Sequence, residues 1–327
     1  MRTEIFGTFG PACASEEILQ QMIEEGMSGM RLNLSHTTLS ASEDYIKTYQ
    51  KVAKQKGVQP QILMDMQGPE LRVGKLQKPI DLKEDEIISL SMIPMPEEIL
   101  ADVQAGDEIL LDDGKLLLQV DVENKMLAKV VRGGILSSAK SIKIKDKYIS
   151  MPPLTAHDLE NIRVAKAYGI TALMQPFVLS GEDLRKVRSA LTDNGAEEIQ
   201  IFAKIENRLG VENINDILPE ADVIVIARGD LGNDMPLWEL PYVQKQIEEA
   251  CKAAGKPYIV VTQMLASMEQ NPVPTRAEVS DIFHAVYHGA WGVMLTGETA
   301  VGKYPVEAIR YLNKTSDFAC DKFKNIR

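Results

Sequence analysis

Basic residues are in deficit in this chain. Its 36 lysines and arginines face 47 aspartates and glutamates, a formal net charge of −11 over 327 residues. That balance works against nucleic acid or an anionic membrane as the main partner, because phosphate-rich surfaces are bound by a surplus of cationic side chains. Cysteine is scarce as well. Cys13, Cys251 and Cys320 lie far apart, odd in number and without a CxxC pair, which excludes a disulfide framework and fits a reducing compartment. No apolar run is long enough to span a bilayer, and the opening MRTEIFGTFGP enters a strand pattern at once, with no apolar stretch behind a basic start. Neither a membrane span nor a secretory leader is expected, and the expected location is cytoplasmic. His36, His157, His284 and His288 lack metal-ligand spacing and read as structural or exposed.

What is present is a recurring unit. With 45% hydrophobic residues the chain can bury a full core as one large α/β domain with an insertion. Apolar, β-branched runs recur at Glu4 to Thr8, Gly29 to Leu34, Gln61 to Met66, Thr171 to Gln175, Gln200 to Ile205, Val223 to Ala227, Pro257 to Val261 and Gly292 to Leu295. They are continuous rather than alternating, as parallel strands buried on both faces should be. Helical stretches with start and stop signals lie between them, such as Ser15 to Glu25, Ser180 to Thr192 and Trp238 to Ala254, with further helices over Leu154 to Gly169 and Pro305 to about Lys324. The pattern predicts a (β/α)8 TIM barrel over residues 1–72 and 149–327. The spacing breaks once, after the third strand. Residues 73–148 carry Ile109 to Leu111, an Asp112-Asp113-Gly114 turn, Leu116 to Val120, a Glu123-Asn124-Lys125 turn and Met126 to Val131, which predicts a small inserted β-domain able to act as a lid.

In a barrel, polar residues that close buried strands converge on one mouth. Arg31, Asn33, Asp65, Lys204, Glu206, Asp230, Thr262 and Glu298 all sit at such ends. Glu206 and Asp230, on neighbouring strand ends, suit Mg²⁺ or Mn²⁺, with substrate oxygens and water completing the shell. Lys204 would neutralise charge on a phosphoryl group in flight. The Arg228-Gly229-Asp230-Leu231-Gly232 turn brings backbone N–H groups close to an anion such as a substrate carboxylate. Arg31 is a phosphate binder, and the neutral oxygens near it, with Asp65, suggest a monovalent cation. Plain structural readings stand beside these: a solvated Lys204–Glu206 pair, Asp230 as a helix cap, Arg31 as an ion-pair partner, and Met64, Met66 and Met174 as core fillers.

The segments Thr8-Phe9-Gly10-Pro11, Arg31 to His36, Asp65 with Gly68-Pro69-Glu70-Leu71-Arg72, Ala203 to Asn207, Ala227 to Gly232, Thr262 to Leu265, Pro274 to Glu278 and Gly297-Glu298-Thr299-Ala300 closely resemble the pyruvate kinase family, in order and across the whole barrel. The resemblance implies phosphoryl transfer between phosphoenolpyruvate and ADP, giving pyruvate and ATP, with Mg²⁺ and K⁺. By residue, it implies Lys204 at the transferring phosphoryl, Glu206 and Asp230 on Mg²⁺, Gly229 and Asp230 at the substrate, and Thr262 beside the protonated enolate carbon. It also implies Asn33, Ser35, Asp65 and the Met66 carbonyl on K⁺. Arg31 and Arg72 would bind phosphates, Glu298 would be a catalytic residue, and Glu70 would accompany K⁺ dependence.

The sequence also departs from the family. The usual C-terminal regulatory domain is not found, the lid is short, and its usual glycine-rich return is replaced by Ser141 to Asp146. Asp113 is retained, whereas Val301, Met66-Gln67, Pro176 and Leu179 stand where the family commonly has Lys, Thr-Lys, Ser and Arg. ADP would then be held with altered contacts such as Lys140 or Lys143. Alternatives are a lyase or decarboxylase on a 2-oxo acid, another phosphoryl acceptor, or a phosphoenolpyruvate sensor. The Pro274 to Glu278 loop is expected to support a contact in a homo-oligomer, at least a dimer.

Overall fold

Strands buried on both faces can close on themselves, and these do. A computed structural model describes residues 2–35, 37–112 and 114–324, so His36 and Asp113 lie outside the described residues. Strands β1 (Glu4–Thr8), β2 (Gly29–Asn33) and β3 (Gln61–Asp65) lead into an insertion holding β4 (Ile80–Leu82), β5 (Ile87–Ser89), β6 (Glu108–Leu111), β7 (Leu116–Val120), β8 (Leu127–Arg132), β9 (Gly134–Leu136) and β10 (Ile142–Ile144). The chain then continues through β11 (Ala172–Gln175), β12 (Gln200–Ile205), β13 (Val223–Ala227), β14 (Tyr258–Val261) and β15 (Gly292–Met294). The closed barrel runs β1-β15-β14-β13-β12-β11-β3-β2. Every neighbouring pair in it is parallel.

Alternation sorts the barrel side chains into two layers. Phe6, Leu63, Met174, Phe202, Val225, Ile259 and Met294 share the inner cluster. Ile5, Met30, Met64, Ile201, Ile226 and Val260 belong to the outer one, against the helices. The same period of two continues the inner rows upward, from Leu63 to Asp65 and from Phe202 to Lys204, so the barrel's apolar filling ends in charge at one rim. Among the described residues, no helix is long and apolar enough to cross a membrane.

Helix starts follow their caps. Ser15 caps Glu16–Glu24 by accepting from Ile18 N, and Thr155 with Asp158 forms a capping box for Ala156–Ala165. That helix is shorter than expected from sequence, because Thr155 fixes its start and Gly169, at φ +69°, lies in the turn beyond its end.

Residues Pro69–Pro152 form a compact unit of their own, separate from Met1–Gly68 and Pro153–Arg327. The insertion carries a five-stranded antiparallel sheet, β10-β6-β7-β8-β5, and a β4-β9 pair, around a core that includes Ile88, Ile99, Ile109, Leu111, Leu118 and Val130. The sequence pattern picks out only β6, β7 and β8. The other four strands have three residues each, too few for alternation to register. Ser141 to Asp146 contains β10, whose Ile142 and Ile144 are buried and pair with Leu111 and Ile109.

Candidate active site

Four charged side chains form a buried chain at the barrel rim. Register pairs Asn33 with Asp65 and Lys204 with Val225, which sets β2, β3, β12 and β13 level. Arg31 donates from Nε and Nη2 to Asp65 Oδ2 at 2.7 and 2.6 Å, and from Nη1 to Thr8 Oγ1 at 3.3 Å. Lys204 Nζ lies 3.2 Å from Asp65 Oδ1 and 2.9 Å from Glu206 Oε1. Glu206 Oε2 accepts from the Phe177 N–H at 2.9 Å.

Burial sets the electrostatics. It opposes the charge on Lys204, but Asp65 and Glu206 outweigh it and hold the ammonium above the usual lysine range. Burial likewise opposes the Asp65 charge, yet Lys204 and Arg31 hold that carboxyl below the usual carboxylate range. Glu206 differs. Burial pushes it up to about 7 against the pull of Lys204, and the Asp230 charge adds to the rise. Asp230 is exposed in the first turn of Arg228–Asn233, so it is a first-turn acid and not the helix cap. The Asp230 charge therefore acts on Glu206 across the neighbouring strand ends.

The second wall is the segment after β14. Thr262 and Gln263 have φ of +74° and +56°, a left-handed pair that includes a β-branched residue, costing roughly 1–3 kcal/mol each. A Cβ added at Gly229 would lie 3.0 Å from Thr262 Cγ2, so the Arg-Gly-Asp turn and Thr262 touch. Glu298 is buried and accepts from Leu265 N at 3.0 Å and Thr296 N at 2.7 Å. Its oxygens tie the loops after β14 and β15 together.

Among the remaining expected residues, Asn33 Oδ1 accepts from Ser35 N at 3.1 Å, and Met66 N donates to Met174 O at 3.1 Å. Arg72 and Lys140 belong to the inserted unit. There Arg72 binds Glu70 through Nε at 2.9 Å and the Ala139 carbonyl at 2.8 Å, and Lys140 pairs with Asp112 at 2.8 Å. Asp113 is outside the described residues. His157 bonds the Leu34 and Thr37 carbonyls at 2.9 Å, the structural role expected of it.

Sequence reasoning missed several supports. Asp158, fully buried, accepts from Gln67 N at 2.9 Å and Gly68 N at 3.1 Å, fixing the exit from β3. Glu278 receives Ser267 N at 2.7 Å and Ser267 Oγ at 2.6 Å. These are contacts distant in sequence, and only the capping pattern Thr275-x-x-Glu278 gave a local signal.

The family described as "Pyruvate kinase, barrel domain" matches residues 1–309. The chain belongs to that family. It is 38% identical to a pyruvate kinase of Sporosarcina psychrophila over 98% of this chain and 58% of the relative, and 39% identical to one of Geobacillus stearothermophilus over 96% and 56%. The chain therefore spans little more than half the length of these curated relatives. A solved pyruvate kinase structure from Cryptosporidium parvum superposes with a TM-score of 0.91 at 33% identity, covering 97% of this chain and 69% of that one.

Proposed function

We propose that the chain transfers the phosphoryl group of phosphoenolpyruvate to ADP, giving pyruvate and ATP. The observation that carries this reading is the buried Arg31–Asp65–Lys204–Glu206 chain with Asp230 beside it, in a barrel of the pyruvate kinase family. Lys204, held protonated by two carboxylates, cannot act as a base. It is suited to stabilise negative charge on the phosphoryl as its bond to the enolate oxygen breaks and its bond to the ADP oxygen forms. Thr262 would serve the enolate carbon, which takes a proton to give pyruvate. The N–H groups of the Arg228 turn, Gly229 foremost, would receive the substrate carboxylate.

The donor set fits a hard divalent ion. No cluster of three or more His, Cys, Asp or Glu suited to a metal occurs among the described residues, so the protein's share is the Glu206–Asp230 pair, and substrate and water complete the shell as Mg²⁺ prefers. When bound there, Mg²⁺ would supply Lewis-acid charge for the enolate and phosphoryl oxygens. K⁺ would rest on Asn33, Ser35 and the Met66 carbonyl more than on Asp65, whose charge Arg31 and Lys204 already oppose. Arg72 and Lys140 are the proposed phosphate and nucleotide contacts, each exchanging its present carboxylate partner for a phosphate. The exposed Leu237, Trp238 and Tyr242 support self-association, and a cytoplasmic location goes with this reading.

Incubation of the protein with phosphoenolpyruvate, ADP, Mg²⁺ and K⁺ tests the proposal. Stoichiometric pyruvate and ATP are expected; pyruvate released at the same rate without ADP would refute it.

A further inference from the structure

The left-handed Thr262–Gln263 pair needs something to hold it, and the holder is visible. The Thr262 carbonyl accepts from Arg228 Nε at 3.3 Å and Nη2 at 2.8 Å. On its other edge Arg228 Nη1 donates to both Asp281 oxygens, at 2.9 and 2.7 Å, while Nη2 lies 3.0 Å from Met264 Sδ. A guanidinium is planar and rigid, so fixing one edge on a carboxylate aims the opposite edge. Asp281 comes from the helix Arg276–Tyr287, which also binds Ser267 through Glu278. One helix therefore pins the segment after β14 at two places, and the residue that takes the aim of Asp281 also begins the Gly229-Asp230 turn.

We infer that Arg228 and Asp281 are positioning residues for Thr262: the guanidinium held by Asp281 keeps the Thr262 peptide left-handed and so fixes the threonine hydroxyl at the enolate carbon. This deepens the proposed function and rests on it. Both side chains are engaged within the protein, with Thr262, Met264 and each other. The effect belongs to proton transfer at that carbon and to turnover, and leaves substrate affinity nearly alone.

Asp281→Asn keeps the side chain's size and removes its charge, and Asp281→Glu keeps the charge. In Asp281→Asn, kcat for pyruvate formation and the exchange of pyruvate C3 protons with D2O should both fall, on the order of 10- to 100-fold. KM for phosphoenolpyruvate should change by less than about threefold, and Asp281→Glu should recover part of the loss. A raised KM with unchanged kcat overturns the inference, as does an unchanged C3 exchange. A crystal structure of Asp281→Asn gives a readout independent of activity. Thr262 is expected to leave its left-handed conformation or to lose its Arg228 contact; an unmoved Thr262 still bonded to Arg228 overturns the brace. Should the wild type form no pyruvate, the phosphoenolpyruvate reading falls, and that crystal structure still decides whether the brace holds Thr262.

Discussion

A lysine enclosed by two carboxylates keeps its proton through the working range of most enzymes, and Lys204 is such a lysine. On the proposed function, its replacement by Met removes a group that would stabilise charge mainly in the transition state. Turnover is expected to drop on the order of 10²–10³-fold, with phosphoenolpyruvate binding by calorimetry largely intact. Glu206 and Asp230 make a different prediction. Burial and the Asp230 charge already raise Glu206, so on the proposed function a divalent cation would offset that repulsion. If they hold Mg²⁺ as proposed, Glu206→Gln and Asp230→Asn should each raise the Mg²⁺ concentration needed for half-maximal rate by about tenfold or more. An unchanged Mg²⁺ titration in either variant would remove that residue from the metal.

Loops and helix ends carry the rest of the site. Glu278 closes the cap of Arg276–Tyr287 and holds Ser267. Partial burial works against its charge, but hydrogen bonds from Ser267 and Thr275 bring its carboxyl below the ordinary value of 4.5. A depressed folded value means that the ionised carboxylate stabilises the fold above 4.5 and that this contribution is lost as pH falls through the folded value. Glu278→Gln should therefore cost about 1 kcal/mol at pH 7, and the gap to wild type in urea unfolding should close at acid pH. A constant gap would contradict the role of the charge. At the exit from β3, Gly68 has φ +63° and a Cβ there would come within 2.4 Å of Pro176 Cγ. Gly195 has nearly the same φ, +62°, with nothing within 4 Å. Gly195→Ala should cost about 1–2 kcal/mol for the left-handed backbone alone, and Gly68→Ala clearly more, both read by urea unfolding.

Legibility also divides at this scale. All eight barrel strands were readable to within one residue at each end, because burial on both faces leaves uninterrupted β-branched runs. Lys204, Glu206 and Asp65 were readable because a charge that ends such a run must sit at the rim. Arg228 with Asp281, and Glu298 with Leu265, were not, since their meaning lies in partners 53 and 33 residues away that only the closed barrel brings together. The strain at Thr262 had no sequence signal, as threonine is not a residue that marks a left-handed turn.

For the molecule as a whole, the acidic balance means that the proposed anionic substrate would have to be held by a few cations at the barrel rim, such as Arg31 and Lys204, rather than by a basic surface. Exposed Leu237, Trp238 and Tyr242 gather at the start of Leu240–Ala253, and sedimentation should show at least a dimer that Trp238→Glu weakens; a wild-type monomer at all concentrations would contradict self-association. On the proposed function, a protonated Lys204 drives phosphoryl transfer from phosphoenolpyruvate. Its most direct test is pyruvate formation by wild type and by Lys204→Met, with Mg²⁺ and K⁺, with and without ADP. ADP-dependent pyruvate is expected from the wild type, nearly abolished in the variant, which should still bind phosphoenolpyruvate. Equal rates in the two proteins, or binding without ADP-dependent turnover in the wild type, would contradict it.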